Sequence, residues 1–261
     1  MQYDASMVRG ALCSLCLLVV ACGRLGFDDV GIAGDVDGGP PDAAPSDPLV
    51  MLDDGFEGNI LRADWQIIHP EYGDVSVVDG VLVVEPDTLG QWFDNGVGVG
   101  VVLPVSGDFV ATAQVTLTDG AMPPGPPLGP GLEVASLLVR DPASVDGARN
   151  NSWVGVGAEF GGPRKESKST RDSVSVYTLE DFVETRARLR LCRVGSTVTT
   201  YHAAYDSGPW EAHQVYTRPD LPTLVHVGLT ATEREDPVDI AARFDWISFR
   251  TPSVAAGCES P

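Results

Sequence analysis

Between residues 108 and 117 hydrophobic and polar positions alternate. Phe109, Ala111, Ala113, Val115 and Leu117 fall on one side, and Val110, Thr112, Gln114 and Thr116 on the other. Successive side chains of a strand point to opposite faces, so a period of two marks a strand with one covered face. Val225, Val227 and Leu229 repeat the pattern against His226, Gly228 and Thr230. Further β-type runs occupy 75–78, 81–85, 132–140, 153–160, 173–177, 186–194, 197–205 and 240–249. Asp79-Gly80, Asp94-Asn95-Gly96, Ser106-Gly107, Gly195-Ser196 and Asp206-Ser207-Gly208 separate them, residues that supply the backbone angles of tight turns. Many short strands at this spacing predict an all-β fold, an antiparallel sandwich or barrel rather than a parallel α/β sheet. Only 179–185 reads as helical, for one or two turns, and the proline-rich stretch 121–131 (AMPPGPPLGPG) reads as a loop because proline cannot donate to a ladder.

The N-terminal quarter has a different texture. From Met7, Arg9 precedes an apolar run, 11–20, too short for a membrane span, which needs about 20 residues. Leu18-Val19-Val20-Ala21-Cys22 resembles the lipobox of bacterial lipoproteins. That resemblance implies acylation of Cys22, cleavage before it, and a membrane anchor made of lipid alone. Gly23 after the cysteine implies sorting to the outer membrane, facing the periplasm or the cell surface. The stretch that follows is Gly, Pro, Asp and Ala, too poor in large apolar residues to pack. The expected organisation is therefore signal peptide 1–21, lipidated cysteine and acidic linker 22–50, sandwich 51–251 and a C-terminal tail 252–261.

Composition narrows the partners. The formal net charge of −20 excludes nucleic acid as an expected ligand, because phosphate binding runs through Lys and Arg. Cys13, Cys16 and Cys22 belong to the signal region, which leaves Cys192 and Cys258. Two thiols in an oxidising compartment predict one disulfide between them, fastening the tail to a strand.

From Asp53 to Phe249 the chain resembles the concanavalin A-like lectin/glucanase superfamily. The likeness is carried by an ordered set of pieces: LDDGFEGNILRADW, DGVLVVEP, WFDNGVGVGVVLPVSGDFVATAQV, ASLLVRDP, NSWVGVGAEF, LRLCRVGSTVTTYHAAYDSGPW and ARFDWISF. It implies a jelly roll of two curved sheets, and core positions for Trp65, Trp210 and Trp246. Related jelly rolls carry a structural calcium between an early acidic segment and the last strand, which makes Asp54, Glu57 and Asp245 candidate ligands. No other cofactor is expected.

Glycoside hydrolysis needs two carboxylates at a fixed separation. The Glu-x-Asp-x-Glu strand of the family's glucanase branch is missing, Glu233 to Asp236 reads as an exposed loop, and the other glutamates are scattered. The expected role is therefore noncatalytic: a lectin-like or adhesive module for a glycan or cell-surface polysaccharide. A glycan-active enzyme with a dispersed carboxylate pair and a protein scaffold stand as alternatives. Aromatic faces pack on the C–H side of a sugar ring, so the candidate platforms are Trp92, Trp153, Tyr177, Tyr201 and Tyr205, with Asp94 and Asn95 beside Trp92. Arg186, Arg188 and Arg190 share one side of a strand. The expectation for them is cross-strand pairing with acidic residues, with Arg188 and Arg190 as candidate contacts for a uronic or sulfated glycan. His202 and His213 face each other if their strands form a hairpin, but two imidazoles do not make a zinc site.

Overall fold

A computed structural model describes residues 47–90, 92–120, 131–144, 150–159, 162–234, 239–253 and 257–258. The expected leader, Cys22 and most of the expected linker lie outside these residues, as does nearly all of the proline-rich stretch. Fourteen strands form two antiparallel sheets of seven. The first sheet runs β1 (Gln66–Ile68), β4 (Gly100–Ser106), β13 (Leu224–Glu233), β6 (Glu133–Arg140), β7 (Asn151–Glu159), β8 (Gly162–Arg171), β9 (Val174–Asp181). The second runs β12 (Glu211–Thr217), β11 (Thr197–Ala204), β10 (Arg186–Val194), β5 (Phe109–Asp119), β14 (Ile240–Arg250), β3 (Val81–Pro86), β2 (Gly73–Val78). The all-β sandwich read from the sequence is what forms.

The alternation sets the layers. Phe109, Ala111, Ala113, Val115 and Leu117 of β5 pack against Leu137, Val139, Val154, Val156, Val225, Val227 and Leu229 of the opposite sheet, each 1 % exposed or less. Burying such side chains contributes about 1.5–3 kcal/mol apiece. Register is pinned by two-residue turns. Asp79 and Gly80 both have positive φ between the paired Val78 and Val81, the left-handed pair that matches strand twist. Asp172 and Ser173 do the same between β8 and β9 without a glycine.

One flank of the interior is polar. Arg218, 2 % exposed, donates to the carbonyls of Asn151 and Thr170 and to the hydroxyls of Ser152 and Ser169, with Asp220 as its counter-ion. Further along, Ser167 bonds Thr200 (2.8 Å) and His213 (2.7 Å) across the layers, and His202 Nε2 lies 2.8 Å from the Gly155 carbonyl. The sequence reading is corrected at 179–185: β9 continues through Asp181, so the stretch begins as strand and is not a helix. Cys192 and Cys258 are disulfide-bonded, with Cα atoms 5.6 Å apart.

Candidate functional site

The outward positions of β10 are Arg186, Arg188 and Arg190, because Ala187, Leu189 and Leu191 are in the core. Antiparallel register places them in rows with their neighbours. Arg190 lies between Tyr201 and Thr112, Arg188 between Ala203 and Gln114, and Arg186 beside Thr116. On β14 the rows continue to Ser248, Trp246 and Arg243. Four strands at about 4.8 Å spacing give a face about 14 Å across. A bulge between Phe244 and Trp246 explains its richest part: with Phe244 and Ile247 both inward, the extra residue turns Asp245 and Trp246 outward together.

Three partly exposed aromatics stand on this face, and each is oriented by a polar neighbour. The Trp210 ring lies over the guanidinium groups of Arg190 (4.0 Å) and Arg188 (5.2 Å). Tyr205 carries Arg186 at 4.7 Å and donates its hydroxyl to Asp245. Burial and that carboxylate push its phenol above the usual range. Trp246 donates its indole N–H to Gln114, whose amide in turn donates to Asp245, both at 3.2 Å. Burial lowers Arg190 to about 10, and it donates to Thr112 and to the Cys258 carbonyl. Trp246 and Ser248 also line a groove of about 610 Å³ with Asp53, Asp54, Glu57 and Arg62.

The sequence candidates divide between the two outer faces. Tyr205, Arg188 and Arg190 belong to the face just described, with Tyr201 6 % exposed beneath it. Trp92, Trp153, Tyr177, Asp94 and Asn95 lie on the first sheet's side. There Trp92 is 2 % exposed, donates to Thr230 and is covered by Arg140 and His69, and Trp153 is 3 % exposed under the Lys168 ammonium. Neither ring has a face open to a sugar, which corrects the sequence reading. Asp94 spends its carboxylate on the backbone of Ser175, Asn95 is an exposed turn residue, and only Tyr177 is open, at 56 %. Trp210 and Trp246, expected in the core, are instead partly exposed on the outer face of the second sheet, whereas Trp65 is buried as expected.

The expected calcium ligands do not converge. Asp54 accepts from the Phe56 amide and the Trp65 indole, Asp245 is held by Tyr205 and Gln114, and Glu57 lines the groove. Among the described residues the acidic groups that do meet are Glu133, Glu233 and Asp239, whose oxygens lie within 4.8 Å of one another. Glu233, read as part of an exposed loop, is 1 % exposed at the end of β13. Three carboxylates of this kind suit a hard divalent cation. His202 and His213 do meet, ring centres 5.0 Å apart, because a bulge in β12 compensates a register different from the simple hairpin. Ser167, His213 and Glu180 line up like a nucleophile, base and carboxylate, but Ser167 is fully buried.

The sequence matches no protein-family model and no curated protein. Solved structures do resemble the fold. A GH43 protein, BlXynB, from Bacillus licheniformis matches with a TM-score of 0.61 at 16 % identity, over 76 % of this chain and 39 % of the other. A xylan beta-1,4-xylosidase from Bacillus halodurans matches at 0.59 and 14 % identity, over 83 % and 41 %. Rv0315 of Mycobacterium tuberculosis, a pseudo beta-1,3-glucanase, matches at 0.51 and 11 %, over 78 % and 100 %. The chain thus spans about two fifths of the two larger proteins, and the likeness establishes the jelly-roll architecture.

Proposed function

We propose that this chain is an outer-membrane lipoprotein whose sandwich binds glycan without cleaving it. The observation that carries the binding role is the row of partly exposed aromatics, Trp210, Tyr205 and Trp246, each set by hydrogen bonds or a guanidinium beside amide, hydroxyl and carboxylate groups. This is the combination a pyranose needs: a flat apolar surface for its C–H side and polar groups for its hydroxyls. Carbohydrate-active proteins among the structural neighbours are in keeping with it. A soluble fragment, 47–261, presented to a glycan array should bind, and Trp210→Ala and Trp246→Ala should each weaken the hit about tenfold, or 1.4 kcal/mol. An unchanged affinity in both variants would refute the assignment.

A hydrolase is the second reading, supported by the same neighbours. Among the described residues the one group of three carboxylates within 4.8 Å of one another is Glu133, Glu233 and Asp239, two of them buried, whereas glycosidases hold a pair about 5–9.5 Å apart across an open cleft. Release of reducing sugar from a bound polysaccharide would favour that reading, and a blank in both assays would favour a protein scaffold. The lipid anchor is carried by Leu18 to Cys22. Cys22→Ser should abolish incorporation of labelled palmitate, and an unlabelled wild type would refute anchoring.

A further inference from the structure

We propose that the glycan is an acidic one, bearing uronate or sulfate groups, recognised by Arg188 and Arg243 on the aromatic face of the second sheet. The inference rests on the glycan-binding reading and adds the chemical class. Its first support is the sign of the charge along this face. The chain has 17 Lys and Arg against 37 Asp and Glu. Yet the outward positions of the four central strands β11, β10, β5 and β14 carry Arg186, Arg188, Arg190, Arg243 and Arg250 and a single carboxylate, Asp245. In a chain of net negative charge a locally cationic row can still accept a polyanion, since screening confines each field to about 8 Å at physiological salt.

The second support is what the guanidinium groups touch. Arg186 pairs with Glu184 and Asp206, and Arg250 pairs with Asp53. Arg188 instead donates to two backbone carbonyls, of Ala204 (3.1 Å) and Gly208 (3.0 Å). Among the described residues it enters no ion pair, and neither does Arg243, whose buried Nε has no acceptor. Carbonyls fix the orientation of a guanidinium without cancelling its charge. The result is a pre-positioned fork, the geometry that takes a carboxylate or sulfate through two parallel bonds. Arg188 sits under Trp210, so the ring that would pack on a sugar and the cation that would meet its acidic substituent are in contact. The one carboxylate among these outward positions, Asp245, accepts hydrogen bonds from Tyr205 and Gln114. A sugar accounts for both aromatic and cationic elements, where a bare anion would need only the second.

The test compares polygalacturonate and chondroitin sulfate with neutral xylan and laminarin, using the 47–261 fragment with its disulfide intact. The acidic polymers should bind, and their affinity should fall at least tenfold between about 50 and 200 mM salt, as counterion release requires. Arg188→Gln and Arg243→Gln should each weaken binding about tenfold, Arg188→Lys less, and Arg171→Gln, exposed on the other sheet, not at all. Preference for a neutral polymer, indifferent to salt and to Arg188→Gln, would overturn the acidic specificity and leave glycan binding standing. No binding to any polymer would remove both. Equal binding of single-stranded DNA would reduce the face to a general cation patch and also overturn the proposal. Should the glutamine variants fail to fold, the wild-type salt dependence and Arg188→Lys still decide.

Discussion

At the scale of single residues, the buried imidazole of His202 makes the sharpest prediction. It is 1 % exposed, and desolvation holds its pKa down at about 3 despite the favourable carbonyl of Gly155. The unfolded chain, with an ordinary histidine near 6.5, binds the proton more readily than the folded one. The stability that follows is present in full above pH 6.5 and is lost as pH falls from there toward 3, at up to about 1.4 kcal/mol per pH unit. His213, lowered by the same cause, works in the same direction. Urea unfolding of wild type and His202→Gln at neutral pH and near pH 4.5 checks it: the variant should lose less between the two conditions. Identical losses would show that His202 does not govern the acid limb. The same desolvation acts on Lys168 and Glu166 of the first sheet, which have each other as partners. Burial pushes the lysine down and the carboxyl up, and each is partly restored by the charge of the other.

Among elements, the tail behaves as a fastening. Cys258 is joined to the fully buried Cys192 on β10, closing a loop with a sequence separation of 66, and its carbonyl receives Arg190. In the chain-entropy account a loop of that length contributes about 4 kcal/mol by restricting the unfolded chain. Cys192→Ala with Cys258→Ala should therefore lower the unfolding free energy by about 2–4 kcal/mol in denaturant titration, and an unchanged midpoint would mean that the bridge constrains nothing. Strand legibility followed burial. β5, β10 and β13 announce themselves because one face is apolar and packed. β8, Gly162–Arg171, does not: it carries Lys165, Glu166 and Lys168, charges that a half-buried strand ordinarily excludes. Its partners explain it, since Lys168 lies against the rings of Phe93 and Trp153 while Ser167 and Ser169 join the polar flank between the layers. β12 escapes notice for a related reason, as an edge strand whose exposed and half-buried residues follow no simple alternation.

Over the whole molecule, the architecture was readable and the site only partly so. Periodicity says which side of a strand is covered, but not what covers the other side. Trp92 and Trp153 face outward from the first sheet, as an exposed platform would, and are then buried by His69, Arg140 and Lys168 from distant parts of the chain. Trp246 reached the surface through a bulge that nothing in ARFDWISF betrays. The arginines of β10 were visible as a stripe, and the expectation of acidic partners held for Arg186 alone of those whose ion pairs are resolved. Asp47, where the described chain enters, caps the first turn through Leu49 and accepts from both the amide and the hydroxyl of Thr251, one residue past β14. Asp53 similarly accepts from the Phe249 amide and Arg250. Asp47 and the end of β14 are therefore neighbours, so with the tail to Cys258 kept on its bridge the sandwich can be spliced into a surface loop of another protein with little distortion of either sheet.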